Sequence, residues 1–196
     1  VAGENRYVQV EEGKIDVLFT WLDEIYLLQA QGFDFNYIDG NEVLKNSANA
    51  IVASADTIAN NPELVQGFVK AVQKGIYFVA ANPEAAADIV LNKFPALANT
   101  VDWAGAIAVM DAIKVQSYGV TEEDFAEMSN PTGFFFDYKW DINIDSCVVA
   151  GTISEAIAHE KVYTNEFVNN GMTDEDKAAV EADAAAYVYT SELAKA

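Results

Sequence analysis

The chain has 196 residues and a mass of 21.3 kDa, which is enough for one domain or two small lobes. With 52% hydrophobic and 21% charged residues, it can bury a core and does not have the composition of a disordered protein. Eleven basic and 31 acidic residues give a net charge of −20, which disfavours binding to nucleic acid or to an anionic membrane surface. Arg6 is the only arginine, which also disfavours capture of an anionic ligand by a guanidinium group.

Metal sites and disulfides are poorly supported by the residues present. Cys147 and His159 are each the only residue of their type, so an internal disulfide or a zinc site built from Cys and His is not expected. Asp141, Asn143 and Asp145 alternate like the start of a calcium loop, but Ser-Cys follows where such a loop needs Gly. This segment is better interpreted as a solvated helix face, and no cofactor is expected.

The first part of the chain predicts an α/β arrangement. A turn at Gly13 precedes a continuous apolar run at residues 17–19, which is typical of a strand covered on both faces. Residues 22–31 have apolar side chains at helical spacing and are followed by Gly32. Residues 35–39 predict a second strand. A third short strand is expected at residues 49–54, in the sequence NAIVAS.

Helices outnumber strands after residue 55. Asn61, Pro62 and Glu63 form a helix start, in which Asn caps, Pro presets the first turn and Glu favours the positive helix end. We expect a helix of about five turns to follow it, because the apolar residues there form one broad stripe. The same start recurs at Asn82, Pro83 and Glu84. We further predict a helix in 101–118, a short helix capped by Thr121 with Asp124, and a turn at 130–133. A helix is expected from the Trp140 region to about Ala150, where Gly151 ends it. The last predicted helix, 174–194, is acidic and is capped by Thr173 with Asp176.

Four residues are candidates for ligand contact. Trp21 ends the first predicted strand, and strand ends in α/β sheets converge on the ligand crevice. Its ring could stack on a planar ligand, and Glu24, one turn later, could hydrogen-bond a ring amine. The alternative for Trp21 is a place at the rim of the core. Ser47 and Asn49 precede the third predicted strand and could face the same crevice.

Other polar and aromatic residues are better explained by packing. Tyr163, Asn165 and Glu166 lie between two apolar segments, where capping and packing are favoured over ligand contact. His159, near a helix end, is interpreted as structural. A dense aromatic group could form a stacking platform, although an aromatic core is favoured; it comprises Phe134, Phe135, Phe136 and Trp140.

Several segments together resemble a known family. They are GKIDVLFTW with QGFDFNYID, then AIVASADTIANNPELVQGFVKAVQKGIYFVAANPEAAADIVL, the Trp140 helix to VVAG, and YTNEF. In this order and spacing they resemble the type II substrate-binding proteins of ABC importers. The nearest group binds thiamine pyrimidine precursors, riboflavin, sulfonates or nitrate. The resemblance covers about residues 10–170.

The resemblance implies an α/β fold of the periplasmic-binding-protein type II, helix-rich and with one lobe incomplete. Residues 1–45 would end the second lobe, 46–172 would return to and complete the first lobe, and 173–196 would form the acidic C-terminal helix. Because the chain opens at Val1 in mid-pattern, without Met, we expect a processed or truncated product. Either its sheet is incomplete, or another copy or a partner supplies the missing strands.

The resemblance also implies a binding protein and not an enzyme. The expected ligand is small and heteroaromatic, such as a thiamine precursor or riboflavin, and the expected partner is an ABC permease. The location would be periplasmic or extracellular, with anchoring to a membrane through the missing N-terminus left open. Trp21 and Glu24 correspond to the aromatic and acidic pair that holds the ring in that family.

Two alternatives remain. The fold could be reused for self-association or as a surface structural protein. A related pyrimidine synthase is less favoured, because residues 46–49 read Asn-Ser-Ala-Asn where the synthases carry cysteines.

Overall fold

Helices dominate the secondary structure of the chain. The computed structural model describes residues 8–10, 12–40, 49–118, 132–191 and 194. Its helices are α1 (Leu22–Ala30), α2 (Ala55–Asn60), α3 (Pro62–Ala81), α4 (Pro83–Lys93), α5 (Trp103–Tyr118), α6 (Asp137–Val149), α7 (Glu166–Asn169) and α8 (Asp174–Ala185), with short 3-10 helices at Pro95–Asn99 and His159–Lys161. The prediction of a helix-rich chain is confirmed.

The two proline-based helix starts are confirmed in position and differ in capping. α3 begins at Pro62 and α4 at Pro83, where the fixed φ of proline suits the first turn. The side chain of Asn82 accepts a hydrogen bond from the amide of Ala85 at 2.9 Å. Asn61 is the N-cap residue of α3 as predicted, but its side chain makes no such bond. The amide of Leu64, the counterpart of Ala85, donates to the main-chain carbonyl of Asn61 instead.

Glycines end two helices as predicted. Gly32, with φ +90°, follows α1, and Gly151, with φ +71°, follows α6. These left-handed conformations are easily adopted only by glycine. The predicted Thr121 helix and most of the turn at 130–133 lie outside the described residues.

The last helix is shorter than predicted. Thr173 and Asp176 form the expected capping box at the start of α8. The helix ends at Ala185 and not near residue 194, because the chain then leaves the helical path to bond a buried carboxylate on α4. Residues 186–191, called the tail segment below, therefore cover α4.

Helix packing builds the main core. α5 contacts α1, α3 and α4, and α8 lies against α3. The buried residues at the centre are Ala86, Ala87, Leu91, Ala106 and Met110, from α4 and α5. Small alanines allow the two backbones to approach, and Phe78, Val79 and Trp103 pack around them. Burial of this apolar surface holds the helices together.

A buried amide connects α3 to the later chain. Gln73 is only 3% exposed, and its Nε2 donates to the carbonyls of Thr132 at 2.9 Å and Val168 at 3.2 Å. Its Oε1 accepts from the amide of Met172 at 3.1 Å. Gly171 touches this side chain so closely that a Cβ there would lie 1.7 Å from Oε1. The amide is thus satisfied by main-chain groups of three segments.

A buried carboxylate anchors the tail segment. Asp88 is fully buried, and it accepts hydrogen bonds from the Tyr187 hydroxyl at 2.7 Å and from the amides of Thr190 and Ser191 at 2.9 Å each. Asn92, one turn along α4, donates to it at 3.1 Å. Burial raises the pKa of Asp88, but the hydrogen bonds from Ser191, Thr190 and Tyr187 outweigh burial and hold the pKa well below its usual range.

The three predicted strands are not formed in the part of the chain that the structure describes. Residues 17–19, 35–39 and 49–54 have no regular secondary structure, apart from the cap of α2 at Ser54. A strand is stable only when its backbone pairs with a neighbour, and here the apolar side chains face solvent instead. Phe19 and Val52 are each 88% exposed. The α/β fold and the predicted lobe boundaries remain predictions.

Candidate functional site

Trp21 and Glu24 lie at the start of α1. Trp21 is the N-cap residue, with an extended backbone, and its side chain is 65% exposed. It is therefore not sunk in a closed interior, and ligand contact stays a prediction beside the alternative of a place at the rim of the core. Glu24 is half-buried in the first turn and accepts a hydrogen bond from the hydroxyl of Thr20. Residues three apart on a helix lie on neighbouring positions of one face, so an aromatic ring and a carboxylate are available together.

The extended segment before α1 continues the same surface. Val17, Phe19 and Trp21 are all exposed, whereas Leu18 and Thr20 are half-buried. Alternate residues of an extended segment point to the same side. The surface on the N-terminal side of the candidate site is therefore apolar and partly aromatic.

A polar group beside α1 was missed by the sequence analysis. Burial raises the pKa of Tyr26, and the charges of Tyr37, Asp111 and Asp39 raise it further. These residues come from α1, from the segment after it and from α5, which packs on α1. Tyr26 had been interpreted only as part of an apolar stripe, and no local spacing links it to Asp111. Its hydroxyl is held protonated and can serve as a hydrogen-bond donor.

Of the other two predicted contacts, only Asn49 lies within the described residues. Asn49 is exposed in the irregular segment before α2. Ser47 lies outside the described residues. The structure thus places Trp21 and Glu24 together on one helix start and leaves the roles of Ser47 and Asn49 as predictions.

The aromatic residues of the later chain pack on one another. The rings of Phe135 and Trp140 meet edge to face with centroids 5.3 Å apart, and Trp140 stacks on Tyr163 at 5.5 Å and 23°. Phe134 meets Phe136 edge to face at 5.1 Å. Because these rings already contact one another, the arrangement supports an aromatic core rather than a platform on which a ligand stacks.

Tyr163 and Asn165 have packing and bonding roles. Asn165 exchanges two hydrogen bonds of 2.8 Å with the main chain of Phe135. Tyr163 donates its hydroxyl to Asp137, and burial together with this bond raises its pKa to about 12. Glu166 begins α7. The preference for packing over ligand contact at these positions is supported.

Among the described residues, no group of three His, Cys, Asp or Glu side chains could hold a metal ion. In the same ranges, no helix has both the length and the apolar character needed to cross a bilayer. An open depression lies on the last turns of α6, lined by Ile142, Asp145, Ser146, Val149 and Ala150. It belongs to the end of one helix and has no converging polar groups from other elements.

Comparison with known proteins bears on the same segments. Residues 1–86 match the family model described as NMT1/THI5 like. The resemblance to this substrate-binding family is confirmed. Over 170 residues the chain is 27% identical to the riboflavin-binding protein RibY of Chloroflexus aurantiacus (strain ATCC 29366 / DSM 635 / J-10-fl). No solved structure matches the chain.

The NMT1/THI5-like match includes the candidate site. Residues 1–86 contain Trp21, Glu24, the exposed extended segments and the whole of α3. The alignment with RibY covers 86% of this chain and 47% of RibY, so the chain spans about half the length of the curated relative it matches.

Proposed function

We propose that the chain binds a small heteroaromatic solute, such as riboflavin or a thiamine precursor, and serves an ABC importer in the periplasm or outside the cell. The single observation that carries this proposal is the 27% identity over 170 residues to a riboflavin-binding protein. The family match over residues 1–86 supports the same class of ligand. The type II periplasmic-binding-protein fold, with α/β lobes, is part of this proposal.

The chemistry at the start of α1 suits such a ligand. An exposed Trp21 ring offers a face for stacking on a flat heterocycle. The carboxylate of Glu24 can accept a hydrogen bond from a ring N–H or an amine. The net charge of −20 and the presence of one arginine in the whole chain favour a neutral or cationic heterocycle over sulfonate or nitrate.

Binding itself would make and break no covalent bonds. In the proposed mechanism the solute contacts both lobes and thereby favours their closed arrangement. A permease would then recognise the closed form. Trp21 and Glu24 would supply the contacts from one lobe, and Ser47 with Asn49 remain candidates for others.

Titration of the 196-residue chain with riboflavin and with the thiamine pyrimidine precursor tests the proposal. Quenching of flavin fluorescence and calorimetry would each measure the dissociation constant. We expect binding of at least one of the two ligands, and a loss of about fivefold in affinity for Trp21→Ala, because an aromatic contact contributes roughly 1 kcal/mol. Glu24→Gln should weaken binding less.

Phe94→Ala is the matched control, because Phe94 is also an exposed aromatic residue but ends α4. Its affinity should equal that of the unsubstituted chain. Absence of binding to both ligands would contradict the proposal. Equal affinities for the Trp21 and Phe94 variants would contradict the assignment of the site.

A second candidate function is supported by the exposed apolar segments. Val17, Phe19 and Val52 are 84–88% exposed, and exposed apolar surface that is contiguous marks interaction sites. A binding-protein fold reused for self-association would cover them. Size-exclusion chromatography with light scattering separates the two candidates, because a solute receptor of the first kind gives the mass of one chain and an assembling protein gives multiples of it.

A further inference from the structure

The only histidine of the chain lies between carboxylates of two elements. The Nδ1 atom of His159 is 2.8 Å from Oδ1 of Asp141, and its Nε2 is 3.5 Å from Oδ2 of Asp137 and from Oε1 of Glu160. Asp137 and Asp141 are one turn apart on α6, whereas His159 and Glu160 belong to the 3-10 helix that follows the irregular segment 150–158. Both ring nitrogens therefore face acidic oxygens.

The same imidazole completes a stack of three rings. It lies on Tyr163, with centroids 6.1 Å apart and planes inclined by 25°, and Tyr163 lies in turn on Trp140 of α6. Tyr163 also donates its hydroxyl to Asp137. Stacking thus restrains the plane of the ring, and in this plane both nitrogens face carboxylates.

The donor count distinguishes the two protonation states of the ring. A neutral imidazole has one N–H, so one of its nitrogens would present a lone pair to a carboxylate. An imidazolium has two N–H groups and can donate to both sides. The placement of acidic oxygens at both nitrogens fits the cation.

We propose that His159 is a proton-dependent clasp that holds the segment 150–165 against α6 when the imidazole is charged and loosens that segment when it is neutral. The charged or titratable groups that face the ring are Asp137 and Asp141 from α6, Glu160 from its own helix, and Tyr163. Lys139, although on α6, lies over the rings of Phe136 and Tyr138. The facing groups therefore favour the cation.

The pKa of His159 agrees with this geometry in direction. The hydrogen bond to Asp141 raises it above 6.5, burial opposes this, and the charges of Glu160 and Asp137 raise it further. Because the folded pKa exceeds the unfolded one, the stabilisation is fully present below the unfolded value of 6.5 and is lost as pH rises through the folded value. The clasp opens as pH rises above the folded pKa.

Titration by NMR gives the first test, and a single histidine makes its ring signals unambiguous. We expect a pKa above 6.5, falling toward 6.5 in Asp141→Asn, which keeps the side-chain shape. Asp145→Asn is the matched control, because Asp145 is an exposed carboxylate on the same helix and is not among the groups that face the ring. It should leave the pKa within a few tenths of a unit. A pKa at or below 6.5 in the unsubstituted chain would overturn the proposal.

Hydrogen exchange gives the second test. After correction for intrinsic rates, amides in 150–165 should exchange severalfold more slowly at about pH 5.5 than at about pH 8, and α4 should not change. In His159→Gln this pH dependence should disappear, with the segment exchanging as in the alkaline state. An equal pH dependence in both proteins would overturn the proposal, as would a change of the same size in α4.

Discussion

The extended segments before α2 and the helical body after it differ in how their apolar side chains and backbone groups are satisfied. In residues 55–118 and 132–191 two apolar cores form, and buried polar groups such as Asp88 and Gln73 have partners distant in sequence. Before residue 55, Val17, Phe19 and Val52 face solvent. Helices satisfy their backbone locally, whereas strands need a neighbour. Local signals therefore place the helices, whereas the segments before α2 need a pairing partner that no local signal specifies.

The family match crosses the boundary between these regions. Residues 1–86 include both the exposed segments and α3, the helix on which much of the body packs. The candidate site at Trp21 and Glu24 therefore belongs to the less packed region. Its geometry depends on α1, which lies against α5 and ties this part to the body. Substitutions in the two regions should therefore change the free energy of unfolding by different amounts.

Removal of the Asp88 carboxylate should have the largest effect. Asp88→Ala leaves the half-buried hydroxyl of Tyr187 and the amides of Thr190 and Ser191 without this acceptor, so we expect a loss of about 2–4 kcal/mol in the free energy of unfolding. Urea denaturation measures it. The control Asp183→Ala removes an exposed carboxylate from α8 and should change stability by less than about 0.5 kcal/mol. Similar losses in both variants would refute the anchoring role.

A methyl group at Gly171 should have the next largest effect. Gly171→Ala would place Cβ 1.7 Å from Oε1 of Gln73, so the buried amide must move and lose its three main-chain partners. We expect a loss of about 1–3 kcal/mol. Gly75→Ala is the paired control on α3, because its Cβ meets open space and alanine favours helix by roughly 1 kcal/mol. The two substitutions should therefore shift the urea midpoint in opposite directions.

Acidic pH should lower the free energy of unfolding through protonation of Asp88. Because the folded pKa of Asp88 lies below its ordinary value of 3.8, its stabilisation is present above that value and is lost as pH falls through the folded pKa. Unfolding free energies measured in a pH series should decline below about pH 4. Asp88→Asn, which cannot titrate, should make this decline shallower. An unchanged slope would show that other carboxylates cause it.

Substitution in the exposed region should have the smallest effect. Phe19→Ser removes an aromatic ring that is 88% exposed, so the free energy of unfolding should change by no more than about 0.5 kcal/mol. Its effect on association should be larger, because it removes apolar surface available to a second copy. Thermal unfolding and light scattering measure these two quantities. A stability loss of several kcal/mol would mean that the two regions are not distinct.

The sequence predicted the helices well because their signals are local. Pro62, Pro83 and the Thr173 capping box mark helix starts, and Gly32 and Gly151 mark ends, within a few residues of the backbone they control. The end of α8 was missed because Asp88, which draws the chain away, lies about a hundred residues earlier. The spacing of residues in the last helix gives no indication of that distant acceptor.

The candidate site was predicted only in part. Trp21 and Glu24 are one turn apart in sequence, so their proximity could be inferred from helix geometry. Tyr26 and Asp111 come together only because α1 packs on α5. The predicted strands at residues 17–19 and 49–54 are not formed, because apolar runs carry β propensity but do not specify a pairing partner.

The way in which Asp88 holds the tail segment limits which changes that segment tolerates over evolution. Two of its donors are main-chain amides, at Thr190 and Ser191, which any residue except proline could supply. Another donor is the hydroxyl of Tyr187, which must stay at a fixed number of residues from them. The side chain at 190 is constrained as well, because the Thr190 hydroxyl donates to Asp88 and accepts from Asn92. Insertion or deletion of even one residue between 187 and 190 should therefore be purged.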